Sequence, residues 1–353
     1  MRRPILGVTM GDPAGVGPEI IARAAAEPAV RRDCRPVVIG AASTMGEALA
    51  LVGSPLTLHA VSRVGDCRWA DGTLEVLDLG NVDMGSLLRA AVSAAAGRAA
   101  YEYIERAVTL ARAGEIHGIV TAPVNKEALA AAGVPHSGHT EILARLSDTR
   151  DFAMLLMGHD LRVIHVTTHV ALRQVPDLVT RERVLETIRL AQRTMAGLGR
   201  PEARIAVAGL NPHAGEDGLF GDEEKTSIVP AIEAARSEGM TVVGPLPADT
   251  LFSRARGGEF DIVVAMYHDQ GHIPVKTLGF RYDEASKQWT GLSGVNVTVG
   301  LPFLRVSVDH GTAFDRAWKG IANPESMIEA IDVAVRMLEA AEEQEQQTGE
   351  RNT

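Results

Sequence analysis

Apolar residues gather in short runs at positions 5–9, 36–39, 74–77, 116–120, 163–168, 204–208, 261–266 and 304–308, separated by longer stretches of helical periodicity. The runs are too continuously apolar to leave one face in water, so they predict buried strands covered by helices on both faces. Strands alternating with helices in this way predict an α/β fold. Two helices stand out, an Ala- and Arg-rich one over 86–113 and one over 324–340. In the latter Asn323 reads as the N-cap, Pro324 as the first helical residue, and Met327, Ile328, Ile331, Val335 and Leu338 share a face. The polar stretch after it is expected to fray. With no internal repeat and no long linker, the sharpest punctuation is Thr121-Ala122-Pro123, where a strand ends before a new helix.

Composition narrows the class of protein. A chain of 353 residues with 46% hydrophobic residues can bury the core of one large or two ordinary domains. The net charge is −10 and no Lys/Arg block could track a phosphate backbone, which argues against nucleic acid as a partner. Two cysteines, Cys34 and Cys67, are too few for a disulfide framework or a thiolate metal site, as expected of a cytoplasmic protein. Any metal must therefore use histidines and carboxylates. The N-terminus runs straight into a strand without a signal-peptide pattern, and no apolar run approaches the ~20 residues of a membrane span, so no membrane association is expected.

Three of the eleven histidines share a context. His169 follows the run 163–168, His213 follows 204–208 through Gly-Leu-Asn-Pro, and His268 follows 261–266 through Tyr267. Each lies just past the carboxyl end of a buried strand, where open α/β sheets place ligands and catalytic groups. If they converge, three neutral imidazoles make an open site for a divalent ion. If they do not, they are ordinary polar loop residues. His165 lies inside its apolar run and reads as core.

Groups suited to a phosphorylated acid surround these histidines. Lys276 and Arg305 can bind phosphate or carboxylate oxygens, and Asn296 can donate without adding charge. Gly138-His139-Thr140-Glu141 reads as a loop entering a helix, which either faces an anion or is a simple capping box.

Six blocks carry a more specific signal: Gly11 to Glu19, Thr121 to Lys126, Gly138 to Glu141, Asn211 to Glu216, Gly244 to Thr250 and Tyr267 to Gly271. In content and order they resemble the signature blocks of the 4-hydroxythreonine-4-phosphate dehydrogenase family. The resemblance implies that His169, His213 and His268 bind one divalent metal, Zn, Mg, Mn or Co, and that His139, Thr140, Lys276, Asn296 and Arg305 bind substrate. It also implies a homodimer whose metal site is shared between subunits. The stretch His310-Gly311-Thr312-Ala313 through Asn323 and Pro324 resembles the adenosine loop of the isocitrate and isopropylmalate dehydrogenases. Gly11, Asp12, His310, Gly311, Thr312, Ala313 and Asn323 are thereby implied in binding NAD or NADP. Gly11, Gly15 and Gly17 do not form the G-x-G-x-x-G fingerprint, so a Rossmann phosphate loop is not expected.

The implied architecture is two α/β/α subdomains of isocitrate/isopropylmalate dehydrogenase type, with the active site in the cleft between them at a dimer interface. The expected division is residues 1–125 plus 300–345, residues 126–299, and a disordered tail 346–353. The implied reaction is oxidation of the C3 hydroxyl of a 4-phosphorylated C4 hydroxy acid, then decarboxylation, with Lys126, Asp249 and Asp269 as candidates for the general base. The biosynthetic substrate is 4-hydroxythreonine 4-phosphate, giving 3-amino-2-oxopropyl phosphate on the vitamin B6 pathway. However, His272 after Gly271 and Val170-Ala171-Leu172-Arg173 after His169 look more like the branch acting on 4-phospho-D-threonate or 4-phospho-D-erythronate, which yields dihydroxyacetone phosphate. Remoter readings are a non-catalytic metal- or metabolite-binding paralogue and a metal-dependent hydrolase. Residues 281–293, with Trp289, match neither branch and read as an exposed loop, either a lid or without a role.

Overall fold

All eight apolar runs contribute strands to the computed structural model, which describes every residue except 1–2, 137, 159, 280, 285–287, 291–293 and 352–353. The first strands in chain order are β1 (Ile5–Thr9), β2 (Arg35–Gly40), β3 (Thr57–Val61), β4 (Thr73–Asp78), β5 (Gly118–Thr121), β6 (Ala153–Gly158) and β7 (Leu161–His165). There follow β8 (Ile205–Ala208), β9 (Val242–Leu246), β10 (Ile262–Ala265), β11 (Arg281–Asp283), β12 (Gln288–Thr290), β13 (Val295–Val299) and β14 (Leu304–Val308). The chain forms two compact units, residues 1–150 with 301–338 and residues 151–300 with 339–353. Residues 126–150, expected in the central part, pack in the first unit because the helices Lys126–Ala131 and His139–Leu146 lie against the helix Ala94–Arg112.

The first unit holds a parallel array in the order β3-β4-β2-β1-β5-β14. Leu6 lies opposite both Pro36 and Gly118, and Gly118 lies opposite Leu304, so the carboxyl ends at Thr9, Thr121 and Val308 emerge on one side. The second unit has the order β13-β6-β7-β10-β8-β9. Its β6 is antiparallel to both β13 and β7, while β10 runs parallel to β7 and β8. Leu156, Val163, Ala206 and Val263 interlock with Leu251 and Phe260 in its core.

Several elements differ from expectation. The helix expected over 86–113 begins at Ala94, because Ser93 is extended and its Oγ accepts the Ala96 N–H at 3.2 Å. The helix expected over 324–340 begins at Glu325, whose N–H is held by Asn323 Oδ1 at 2.9 Å, so Pro324 precedes it. It runs to Arg351 where a frayed tail was expected, as the Glu- and Gln-rich composition permits. The insertion is not a plain loop: β11 and β12 pair as an antiparallel hairpin, Tyr282 opposite Trp289. The expected role of the Trp289 side chain lies outside the described residues. Among those residues no helix is long and apolar enough to cross a membrane.

One close approach fixes the packing of the first unit. A Cβ on Gly97 would stand 2.0 Å from the Ala128 carbonyl oxygen, so only glycine lets the helix Ala94–Arg112 meet the helix Lys126–Ala131. Gly97→Ala, which in an exposed helix would gain ~1 kcal/mol, is expected to lose ~2 kcal/mol or more here in a denaturant titration. A gain would show that the two helices can separate at little cost.

Candidate functional site

In the first unit the carboxyl ends of β1, β5 and β14 converge. Gly11 turns the chain in the left-handed region at φ 72°, and a Cβ there would collide with the Pro123 carbonyl oxygen at 2.3 Å. The Asp12 N–H donates to that same oxygen at 2.9 Å, and Asp12 Oδ1 accepts the Ala14 N–H at 2.8 Å. Asp12 is fully buried, its Oδ2 has no partner among the described residues, and burial pushes its carboxyl up to about 6 despite the Ala14 contact. Gly15 lets the loop touch Thr312, whose carbonyl accepts the Val16 N–H at 3.0 Å.

The residues implied in cofactor binding are therefore joined through backbone contacts. His310 bridges the Gly311 carbonyl and Ser326 Oγ at 2.9 and 2.8 Å, and burial keeps its imidazole below the usual range. Ala313 takes a left-handed φ of 42° and starts the turn that reaches Trp318. Asn323 caps the following helix. Glu19, missed in the sequence beyond its place in the Gly-Pro-Glu block, closes this arrangement. Fully buried, its carboxylate accepts the N–H groups of Trp318 and Gly320, the latter at 2.7 Å.

Beside this loop lies a basic group. Arg305 is 2% exposed on β14 and donates from Nη2 to Thr121 Oγ1 at 2.8 Å. Burial lowers its guanidinium to about 9 and Glu141 opposes that shift, so it stays charged at neutral pH. His139, at the start of the helix His139–Leu146, has a buried Nε2 without a partner among the described residues. Burial first, and then Arg305, holds its imidazole well below the ordinary value, hence neutral. The Lys126 side chain and Glu141 both flank Gly138. Thr140 is partly exposed in the same first turn.

The second unit carries the histidines. The rings of His169 and His268 lie 5.6 Å apart between centroids, tilted by 44°. Two imidazoles sharing an ion at about 2.1 Å per Zn–N bond have centroids roughly 5 Å apart, so this pair leaves room for one. His268 Nδ1 is bonded to Asp269 Oδ1 at 2.7 Å, which leaves Nε2 for a ligand. That contact, foremost, holds the exposed Asp269 carboxyl below its usual range and makes it an orienting partner of the imidazole. His213 does not complete a three-ligand group with this pair, and its ring lies 6.2 Å from that of Phe220. Among the described residues no group of three His, Cys, Asp or Glu is placed to hold a metal.

His213 is nevertheless held in a specified loop. Residues 213–217 all have left-handed φ between 42° and 81°. Glu224, 3% exposed and without any signal in the sequence, fixes the loop's base by accepting the N–H groups of Leu210 and Asn211 at 2.8 and 2.7 Å. His272 stacks on His268 at 3.7 Å, and His165 is buried with its ring 4.8 Å from His272. Burial first, then His165 and His268, pushes His272 down to about 3, so it is neutral. Lys276 lies one turn further along the helix His268–Gly279, Asn296 sits on β13 opposite Leu156, and Asp249 is exposed in the first turn of the helix Ala248–Arg256.

The first unit thus brings the buried Arg305 and His139 together beside a glycine-shaped loop. Comparison with known proteins gives the class of chemistry. The family model described as pyridoxal phosphate biosynthetic protein PdxA matches residues 32–334. The D-threonate 4-phosphate dehydrogenase of Cupriavidus necator is 51% identical over 329 residues, covering 93% of this chain and 95% of that one. The enzyme of that name from Salmonella typhimurium is 48% identical, covering 96% of this chain and all of its own. A solved structure, the 4-hydroxythreonine-4-phosphate dehydrogenase of Klebsiella pneumoniae, superposes with a TM-score of 0.85 at 46% identity, covering 96% and 98% of the two chains. The protein is accordingly a dehydrogenase acting on a CH–OH group of a phosphorylated hydroxy acid. More particularly, the chain belongs to the PdxA family.

The buried Asp12 carboxyl makes a measurable prediction. A folded pKa near 6 against 3.8 in the free group means that the folded state favours the protonated form. Stability is then full below about pH 4 for this group and is lost as pH rises through 6, by ~3 kcal/mol at most. Asp12→Asn should raise stability at pH 7 by ~1–3 kcal/mol and flatten the slope between pH 4 and 6, followed by urea melts across that range. An unaltered pH slope would mean that Asp12 finds a partner that stabilises its charge.

Proposed function

We propose that the protein oxidises the C3 hydroxyl of 4-phospho-D-threonate with NAD and a divalent metal, and that the 3-oxo acid then decarboxylates to dihydroxyacetone phosphate. The observation that carries the substrate is the set of relatives named D-threonate 4-phosphate dehydrogenase, 48–51% identical over nearly the whole chain. His272 against His268 and the Val170 to Arg173 segment support it. The solved 4-hydroxythreonine-4-phosphate dehydrogenases of Klebsiella pneumoniae and Burkholderia phymatum, both 46% identical, favour 4-hydroxythreonine 4-phosphate as the second reading.

His169, His213 and His268 are the proposed ligands, with Asp269 fixing the tautomer of His268. Their set is completed in a homodimer. Large apolar side chains are exposed next to each of them, Val170 and Leu172 after His169, Leu219 and Phe220 after His213, and Ile273 after His268. Such exposure beside polar ligands is the mark of a surface that another subunit covers. A metal held by these histidines would supply Lewis acidity, and NAD held by the loops named next would supply the hydride acceptor for oxidation at C3. Of the chain's own groups, the loops at Gly11–Asp12 and His310–Ala313 are proposed to seat the cofactor, and Arg305, Lys276, Asn296, His139 and Thr140 to bind the acid's oxygens. Neutral His139 can donate or accept a hydrogen bond without adding charge. The C3 hydroxyl proton passes to a base, for which Lys126 and Asp249 are the proposed candidates. Breaking the C1–C2 bond then releases CO₂, and a proton returns to C2.

Purified protein with NAD⁺ and Mg²⁺, Mn²⁺, Co²⁺ or Zn²⁺ should be offered 4-phospho-D-threonate, 4-phospho-D-erythronate and 4-hydroxythreonine 4-phosphate in parallel. NADH formation with the threonate at ~10-fold or higher kcat/KM than with the others is expected, with dihydroxyacetone phosphate as product. A preference for the amino acid would move the protein to the second reading, and NAD binding without turnover on any substrate would make it a non-catalytic paralogue.

His169→Ala, His213→Ala and His268→Ala should each lose metal, read by elemental analysis, and turnover, while keeping the wild-type melting curve of the apo protein. Lys276→Ala and Arg305→Ala should each raise KM by ~30-fold, equivalent to ~2 kcal/mol of charge-assisted bonding. A KM unchanged in both would place the phosphate elsewhere, with Lys126 and Thr140 tested next.

A further inference from the structure

A shallow, solvent-open cleft lies in the first unit at the amino ends of β2 and β4, the opposite end of the parallel array from the loops at Gly11 and Pro123. Three guanidinium groups line it, from Arg3, Arg31 and Arg35, together with the Trp69 ring. Arg3 and Arg31 are held by neutral oxygens. Arg3 Nη1 donates to the Arg31 carbonyl at 2.7 Å and Arg31 Nη2 to the Ala70 carbonyl at 3.5 Å. Arg35 lies 5.8 Å from the Trp69 ring centre, and its Nε is buried with no partner among the described residues.

The acids nearby do not cancel this charge. Glu75, 2% exposed, spends one oxygen on the N–H groups of Arg68 and Trp69, at 3.0 and 2.9 Å, and the other on His59 at 2.6 Å. Asp71 is fully in water and 3.9 Å from Arg31, a distance at which an exposed pair is worth little. Asp33 is engaged by both arms of Arg32. Meanwhile Trp69 is held at a left-handed φ of 55°, a conformation that costs a non-glycine residue about 1 kcal/mol or more and persists only when over-determined. Here Glu75 is what determines it. A buried carboxylate thus fixes a strained tryptophan as the wall of a cleft in which the one carboxylate near the three guanidinium groups, among the described residues, is the solvent-exposed Asp71, in a chain of net charge −10.

We propose that this cleft is a second anion site, taking a phosphorylated small molecule whose phosphate is gripped by Arg31 and Arg35 with Arg3 at the rim. Guanidinium forks match phosphate geometry, and among the described residues no carboxylate lies within 3.5 Å of the Arg31 or Arg35 guanidinium. Phenyl phosphate is a suitable probe, since its ring can lie beside Trp69. Calorimetric titration should use full-length Lys276→Ala protein, so that the proposed substrate site is weakened. Saturable binding is expected, weakened ~10-fold or more by adding Arg31→Ala or Arg35→Gln. The ligand should also change the tryptophan fluorescence, an effect lost in Trp69→Phe. Melting curves identify any variant that fails to fold, and Arg3→Gln, on the exposed terminal segment, then takes its place with a smaller loss expected. Binding that survives the arginine changes, or no saturable binding up to about 10 mM, overturns the proposal.

Discussion

The carboxylate of Glu19 is the contact on which the loops of the first unit depend. It is fully buried in the helix Gly17–Ala24, yet it is spent on two backbone N–H groups about 300 residues further along the chain, those of Trp318 and Gly320. A buried charge is tolerated only when such donors surround it, and breaking the arrangement leaves both the carboxylate and the N–H groups unsatisfied. Arg23, one turn on, donates to the Gly320 carbonyl at 2.5 Å, and the Trp318 indole N–H donates to the Pro13 carbonyl at 3.1 Å. The segment 310–323 is thus tied to the segment 11–19 at both ends. The glycines at 11, 15 and 17 matter because they let backbone approach backbone there, whereas a phosphate fingerprint would use them to admit a ligand.

Much of the fold was legible because burial on both faces leaves a continuous apolar run, and all eight such runs became strands. Three of the strands not anticipated escaped notice for separate reasons. Edge strand β3 is largely exposed or half-buried, and β9 contains Gly244 and Pro245, which read as turn residues. β6, Ala-Met-Leu-Leu-Met-Gly, is fully buried, but its residues favour helices as readily as strands. The helix 86–113 was overextended because Ala and Arg continue a helical pattern through Ser93, whose capping role depends on its backbone angles.

At the candidate site, residue types at strand ends were readable and their spatial grouping was not. His169 and His268 follow the adjacent strands β7 and β10 and come together, whereas His213 sits in a left-handed loop organised by Glu224. Spacing in the sequence carries no trace of that loop. Glu19, Glu224 and Glu75 act by accepting backbone N–H groups, a role that any buried carboxylate in a polar sequence context can play and that no motif announces. The substrate question turns on similarly quiet residues, with His272 distinguished from its neighbours only by where it stacks.

The place of β14 also bears on how the chain is made. β14 lies beside β5 in the first unit, but β5 is complete by residue 121 and β14 begins at 304. During synthesis the growing chain carries β5, a strand fully buried in the finished fold, with one bare edge while some 180 further residues are added, and such an edge is a template for pairing with another chain. Over the same interval residues 151–300 can assemble most of the second unit, so the part of the protein begun first still waits for residues 301–338. Truncation before residue 304 would therefore damage the amino-terminal half of the molecule as severely as the end that was removed.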